Sequence, residues 1–333
     1  MAETDHEAPD AGLQAEQRIQ TEDIAFAPTE LVACGSCERM NAPNRMNCIY
    51  CGFGLNIPES TSAVPLVLRP IETWERGANL ILTDCAPEAD LPAVAKLLSA
   101  DPAHLLTLAG AGIPLPLARV ESQAQAEFLH AQLESLGVRC HIVDDAELAA
   151  ERPPTRLAGI EVGSETLSLK HFNTDTVTTV GLGDVALIIE GVITTSRVES
   201  EEKRGGRSRA VDEIETVSEQ PLLDVYTHAS REGFRIMSSG FDFSCLGEQK
   251  GFLGAENLKT LAQELIRISP AARLVPDYQR VRKLLGNVWE PERQTQSSGM
   301  QRAGLGKVAL TRVSVVDNMK QFTKFSRLQR HLI

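Results

Sequence analysis

Apolar residues along this chain change period three times, and each change marks a predicted boundary. From Ala78 to Val143, short apolar strands alternate with helical spacing. Ala78 to Thr83 reads as a strand. Asp90 is placed to cap a helix through Leu91 to Leu98, with Pro92 tolerated in the first turn. Asp101 to Ala109 predicts a second short helix ending at Gly110 and Gly112. Leu115 to Val120 predicts a strand whose Pro116 implies an edge position. Ser122 and Gln125 have capping-box spacing, and Ala126, Leu129, Leu133 and Leu136 follow at helical intervals. Gly137 closes that helix, and Val138, Cys140 and Ile142 alternate as a last strand. Residues 78–150 therefore predict a β-α-α-β-α-β domain.

Residues 155–290 are β-rich and punctuated by Gly and Asn. Strands are expected at Ile160–Val162, Thr166–Lys170, Thr176–Val180, Val185–Val198, Leu222–Thr227 and Phe234–Met237, with Phe241–Ser244 as another short one. Leu258, Leu261, Ala262 and Leu265 then mark one face of a helix. Asp277 to Leu285 predicts a further helix stopped by Gly286. Between the strands, Glu201-Glu202-Lys203-Arg204-Gly205-Gly206-Arg207-Ser208-Arg209 has neither period, so 199–220 is expected to be a mobile loop. Beyond Pro291 only Val308 to Val316 alternates. Residues 291–333 thus read as a basic C-terminal tail that pairs with a sheet edge or stays free.

The remaining N-terminal part reads as an acidic, disordered leader over 1–30, a cysteine module over 31–56 and a linker over 57–77. Pro and Ser cluster at the start of that linker without apolar periodicity. The fold class expected for the whole is multidomain α+β.

Composition limits what such a chain can do. With 42% hydrophobic and 23% charged residues a sizeable core is possible, while 5% aromatics argues against a surface of stacked bases or sugars. A net charge of −12 disfavours a general nucleic-acid binder. Charge is uneven: residues 1–33 carry eight acids and one Arg, and residues 291–333 carry eight Lys or Arg and two acids. Met1 to Asp23 has no apolar core of a signal peptide. The apolar run around Val185 to Ile193 is too short to span a bilayer. Seven Cys, four of them in two close pairs, fit a reducing compartment, so a cytoplasmic protein is expected.

The chemistry concentrates in those pairs: Cys34-Gly35-Ser36-Cys37, ten residues, then Cys48-Ile49-Tyr50-Cys51-Gly52. A two-residue gap lets both sulfurs of a turn face one ion, and two such turns supply four soft donors in a tetrahedron. One structural Zn2+ bound by Cys34, Cys37, Cys48 and Cys51 is expected. Two disulfides, a redox pair or an iron–sulfur cluster are the competing readings. Gly35 and Gly52 fit the knuckle turns. Four thiolates close the coordination shell, leaving no position for water.

Four resemblances follow from these residues. The cysteine module, with its Asn47 to Leu55 ending, resembles bacterial zinc ribbons. Its spacing, including Asn41, is similar to the Ran-binding-protein type of finger. That second resemblance implies a base-reading role for Arg45, but Ala42 stands where a stacking aromatic is expected and Val32 where a Trp is. Pro114 to Val143 resembles the C-terminal domain of the ribosomal stalk protein, whose Lys-rich helical face binds translation factors. Here those helices offer only Lys96 beside His104. The β-rich segment, with Gly183 to Gly191, resembles pleckstrin-homology domains, which implies a barrel with a terminal helix. Only Lys170 and His171 lie where a phosphoinositide would be gripped.

No catalytic motif appears. The seven His form no metalloprotease pattern, and no nucleophile elbow or Walker loop occurs. Gly110-Ala111-Gly112 and Gly181-Leu182-Gly183 read as turns, Asp144-Asp145 as solvated caps, and Cys85, Cys140 and Cys245 as small core residues. The expectation is a non-catalytic adaptor that binds protein partners and takes no small-molecule substrate. An RNA- or ribosome-associated factor using Arg45 and the basic tail (Lys307, Arg312, Lys320, Lys324, Arg327, Arg330) is the alternative.

Overall fold

The computed structural model describes residues 31–43, 45, 47–55, 71–205, 208–304 and 307–333. The expected leader and the linker up to residue 70 lie outside them. The chain divides into two compact units, Met1–Val64 and Pro65–Ile333.

In the first unit, β1 (Val32–Ala33) pairs antiparallel with β2 (Met40–Asn41), and Asn47 bridges Gly54. Its core among the described residues is Cys34, Cys48 and Leu55, with Val32 and Cys37 packed against them. So small an apolar cluster needs a cross-link or a metal to hold it.

The second unit is mixed α+β. It opens with β3 (Ala78–Cys85), α1 (Leu91–Leu98), α2 (Pro102–Ala109), β4 (Leu115–Val120), α3 (Gln123–Ser135) and β5 (Val138–Asp144). The sheet order is β4-β3-β5, which puts Pro116 on an edge strand. Asp90 accepts from the Ala93 amide, Asp101 from Ala103 and Ser122 from Gln125, so each short helix is capped by its own side chain. A one-turn helix, α4 (Asp145–Leu148), follows.

Next come β6 (Thr155–Val162), β7 (Thr166–His171), β8 (Val177–Gly181), β9 (Val185–Gly205), β10 (Ser208–Thr227) and β11 (Phe234–Met237). Leu157, Ile160, Leu167, Leu169, Ile188, Leu223, Val225 and Ile236 form a second core under α5 (Gly254–Ile268), which supplies Leu258, Leu261, Ala262 and Leu265. The expected strand at Phe241–Ser244 is instead the start of a 3-10 segment, Phe243–Gln249. Asp242 accepts from both the backbone and the hydroxyl of Ser244 and so turns the chain. β12 (Arg273–Val275) adds to β9 in parallel, and α6 (Tyr278–Leu285) falls where the spacing placed it.

One expectation fails, and one of two open readings is decided. Residues 199–220 are not a loop: β9 and β10 pair without a break from Ser208↔Gly205 to Tyr226↔Leu187. Of the two readings of 291–333, pairing with a sheet edge holds and the free tail does not. β13 (Glu292–Gly304) pairs with β14 (Lys307–Asp317), β14 pairs with β9, and α7 (Met319–His331) enters the main core. The full sheet order is β13-β14-β9-β10-β11-β6-β7-β8, with β12 off that path. The ribbon escaped the period test because no described residue from Thr195 to Glu202 or from Glu213 to Glu219 is buried. A strand wet on both faces has no reason to alternate.

α7 escaped because it is a polar helix in a buried place. Phe322, Phe325 and Leu328 are fully covered, but so are Gln321, Thr323, Ser326, Arg327 and Gln329. Most of these polar groups are satisfied, with the buried Nε of Arg327 an exception. Gln321 donates to the Trp289 carbonyl at 2.7 Å and accepts from Tyr278 Oη at 2.9 Å. Ser326 Oγ donates to Asp224 at 2.7 Å, and Gln329 donates to the Pro114 carbonyl at 3.1 Å. Asp224, fully buried, takes a two-pronged contact from Arg235 at 2.7 and 2.8 Å. Gly191 is required here: a Cβ would lie 2.2 Å from Phe322 Cε2.

The β-α-α-β-α-β segment and the β-rich segment are not independent modules. Leu80, Leu129 and Val143 share one apolar core with Leu187, Tyr226, Val281, Phe322 and Leu328. Residues 71–77 of the expected linker are also tied down, since Arg119 donates to the carbonyls of Glu72 and Glu75.

Candidate metal centre

Both cysteine pairs sit on repeated turns. In the first, the Cys34 amide donates to the Arg39 carbonyl at 3.0 Å and the Glu38 amide to the Cys34 carbonyl at 2.9 Å. In the second, the Cys48 amide donates to the Phe53 carbonyl at 2.8 Å and the Gly52 amide to the Cys48 carbonyl at 2.9 Å. The residue four beyond the first cysteine of each pair has positive φ, Glu38 at 57° and Gly52 at 75°. Gly52 meets the expectation for a knuckle. In the first knuckle the left-handed position falls on Glu38, and Gly35 is outside it.

These turns bring all four sulfurs within 4.8 Å of one another, an arrangement that could hold a metal ion. Cys34 and Cys51 are 3.6 Å apart and Cys37 and Cys48 3.5 Å, so the closest approaches run between the knuckles. A tetrahedral ion with bonds of about 2.3 Å to sulfur needs S–S separations of about 3.8 Å. The donor set therefore fits. All four thiols are free, and among the described residues this is the one group of that kind.

Backbone amides aim at the sulfurs: Ser36 N–H at Cys34 and Tyr50 N–H at Cys48, both at 3.4 Å. Asn41, 2% exposed, holds the arrangement from behind. Its Nδ2 donates to the Arg39 carbonyl at 2.8 Å and to Cys48 Sγ at 3.4 Å, while its Oδ1 accepts from the Ile49 amide at 3.0 Å. One side chain thus ties both knuckles together.

Burial opposes the Cys48 thiolate, but the amides of Tyr50 and Cys51 together with Asn41 outweigh it and bring the thiol down to about 6. Cys34 is lowered in the same way: burial opposes the thiolate, and the amides of Cys37 and Ser36 prevail. At Cys37 the Arg39 amide favours the thiolate, but burial and the three neighbouring sulfurs push the thiol up to about 12. Crowded thiols of this kind cannot all ionise without a cation between them.

Other sequence candidates separate from this cluster. Arg45 is exposed, on the turn where its amide donates to the Ala42 carbonyl. Four basic residues of 291–333 are engaged within the fold. Lys320 pairs with Glu292 and Glu151 at 3.0 and 3.1 Å, and Lys324 with Asp145 at 3.3 Å. Arg327 donates to the Arg152 carbonyl, and Arg330 to those of Thr227 and His228. Arg312 is exposed, and the side chain of Lys307 lies outside the described residues. Burial raises the thiols of Cys85, Cys140 and Cys245, Cys140 to about 12, the opposite of what a nucleophile needs.

Two features were missed from sequence. Asp145 is not a solvated cap. It binds Arg119 at 2.6 Å, Lys324, Asn79 Nδ2 at 3.0 Å and the Gly77 amide at 3.0 Å. The second feature is apolar. Met40, Ile49, Tyr50 and Phe53 are all exposed, the last three at 55%, 52% and 54%, and Arg39 lies 4.7 Å over the Tyr50 ring.

Among the described residues no helix is long and apolar enough to cross a membrane. Comparison of the chain with protein-family models, with curated proteins and with solved structures finds no match. The stalk-protein and pleckstrin-homology resemblances therefore rest on residue pattern and element order alone.

Proposed function

We propose that this chain is a zinc-binding, non-catalytic adaptor whose cysteine module docks protein partners. The observation that carries this reading is the contrast within the first unit: its small core surrounds the sulfurs, while Met40, Ile49, Tyr50 and Phe53 face outward. Several large apolar side chains left exposed on one small module favour a protein contact. Zinc suits four thiolates in a tetrahedron and, with its shell closed, builds structure rather than supplying a reactive water. The RNA reading loses support, because Lys320, Lys324, Arg327 and Arg330 are engaged within the fold.

The test separates metal from docking. Purified protein should contain one equivalent of zinc, lost in Cys48→Ser. A Tyr50→Ser/Phe53→Ser variant should keep its zinc yet lose most of whatever proteins the wild type retains at near-physiological salt. Equal retention by that variant and the wild type would remove the docking role. Retention of RNA instead of protein would favour the alternative.

A further inference from the structure

The four strands β13-β14-β9-β10 continue past the body of the protein as a ribbon. Beyond Ile193, the last core residue of β9, twelve residues run on from Thr194 to Gly205. At about 3.4 Å per residue this is an arm of about 40 Å. Four antiparallel strands without an apolar face against a core are weakly held on their own. Among the described residues the arm also has two open edges. β11 covers β10 only from Leu222 to Val225, leaving Ser208 to Glu219 as an edge, and β13 ends the sheet on the other side.

These edges match each other. The strands alternate in direction and number four, so a second ribbon placed alongside by translation sets its β13 antiparallel to β10 of the first. The register gives the side-chain pattern. Arg293, Val316, Ser196 and Val217 form one row across the ribbon, and Thr295, Ser314, Val198 and Glu215 form the next row on the same face. In-register translation puts Arg293 of one copy beside Val217 of the other, diagonal to Glu215. A diagonal neighbour of this kind is within reach of a long side chain. Glu213, Glu215, Val217 and Glu219 are exposed on that one face of β10, whereas β13 after Glu292 has no acid. Two β10 edges would set Glu against Glu and repel; β10 against β13 would not. Ile214 and Val217, 67% and 58% exposed on opposite faces, would both be covered.

We propose that the ribbon is a self-assembly surface, with β10 of one copy adding to β13 of a second copy of this chain. The contact is heterologous, so it leaves one open edge at each end and can propagate.

Sedimentation of the purified full chain between about 1 and 100 µM tests this. The wild type should form dimers and larger species as concentration rises. Glu213→Lys/Glu215→Lys should raise the dissociation constant at least about tenfold, Arg293→Glu alone should also weaken assembly, and the triple variant should restore it. All substituted positions are exposed, and circular dichroism would confirm that the variants fold. A wild type that stays monomeric throughout overturns the proposal, whatever else it binds. So does assembly indifferent to these reversals, or a triple variant no better than either parent.

Discussion

Asn41 illustrates how one side chain can govern a site it does not ligate. It touches both knuckles and donates to Cys48. Asn41→Ala should leave four thiols but weaken zinc binding about 10–100-fold, measured by competition with a chromophoric chelator. Gly52→Ala places a Cβ at φ 75° and should cost about 1–2 kcal/mol of the same binding free energy. Zinc affinity should rise with pH, because the Cys37 thiol, raised to about 12, must lose its proton to ligate. Titration calorimetry in two buffers of different ionisation enthalpy would show that proton release. Asp145 behaves differently. Burial opposes its charge, but Arg119, Lys324 and Asn79 hold its carboxyl below the usual 3.8. Its contribution is thus present above that value and is lost as acid drives the pH below it. Asp145→Ala would strand Arg119 and Lys324 and should cost about 3–5 kcal/mol in urea unfolding.

At the scale of elements, legibility followed burial. β3 to β5 and α1 to α3 could be read because each carries one local signal that agrees with its surroundings: a cap at Asp90 or Ser122, a left-handed Gly137, an edge Pro116. The metal ligands were legible because their spacing is itself the geometry. The outer halves of β9 and β10 were not, since no described side chain there is buried and no period is imposed. α7 was misread for the opposite reason. Gln321, Ser326 and Gln329 look like solvent-facing residues until Trp289, Asp224 and Pro114 are seen to meet them. Gly191 is a similar case, meaningful only once Phe322 lies over it. Gly191→Ala should therefore cost about 1–3 kcal/mol by overpacking, and Phe322→Ala about 3–5 kcal/mol by cavity formation, both read from denaturant midpoints.

For the whole molecule, α7 joins what sequence divided. Its apolar face closes a core assembled from residues 78 to 148 and 187 to 289, while its polar side chains tie Asp224, Tyr278 and Trp289 to the same helix. That placement bears on how the chain is made. Synthesis runs from the N-terminus, and the apolar surfaces around Leu80, Val143, Ile189 and Tyr226 leave the ribosome well before Phe322 exists. Until the last turns of α7 emerge, a nascent chain would carry an unsealed hydrophobic cleft and the buried Asp224–Arg235 pair without its lid, a state that chaperones or aggregation can capture.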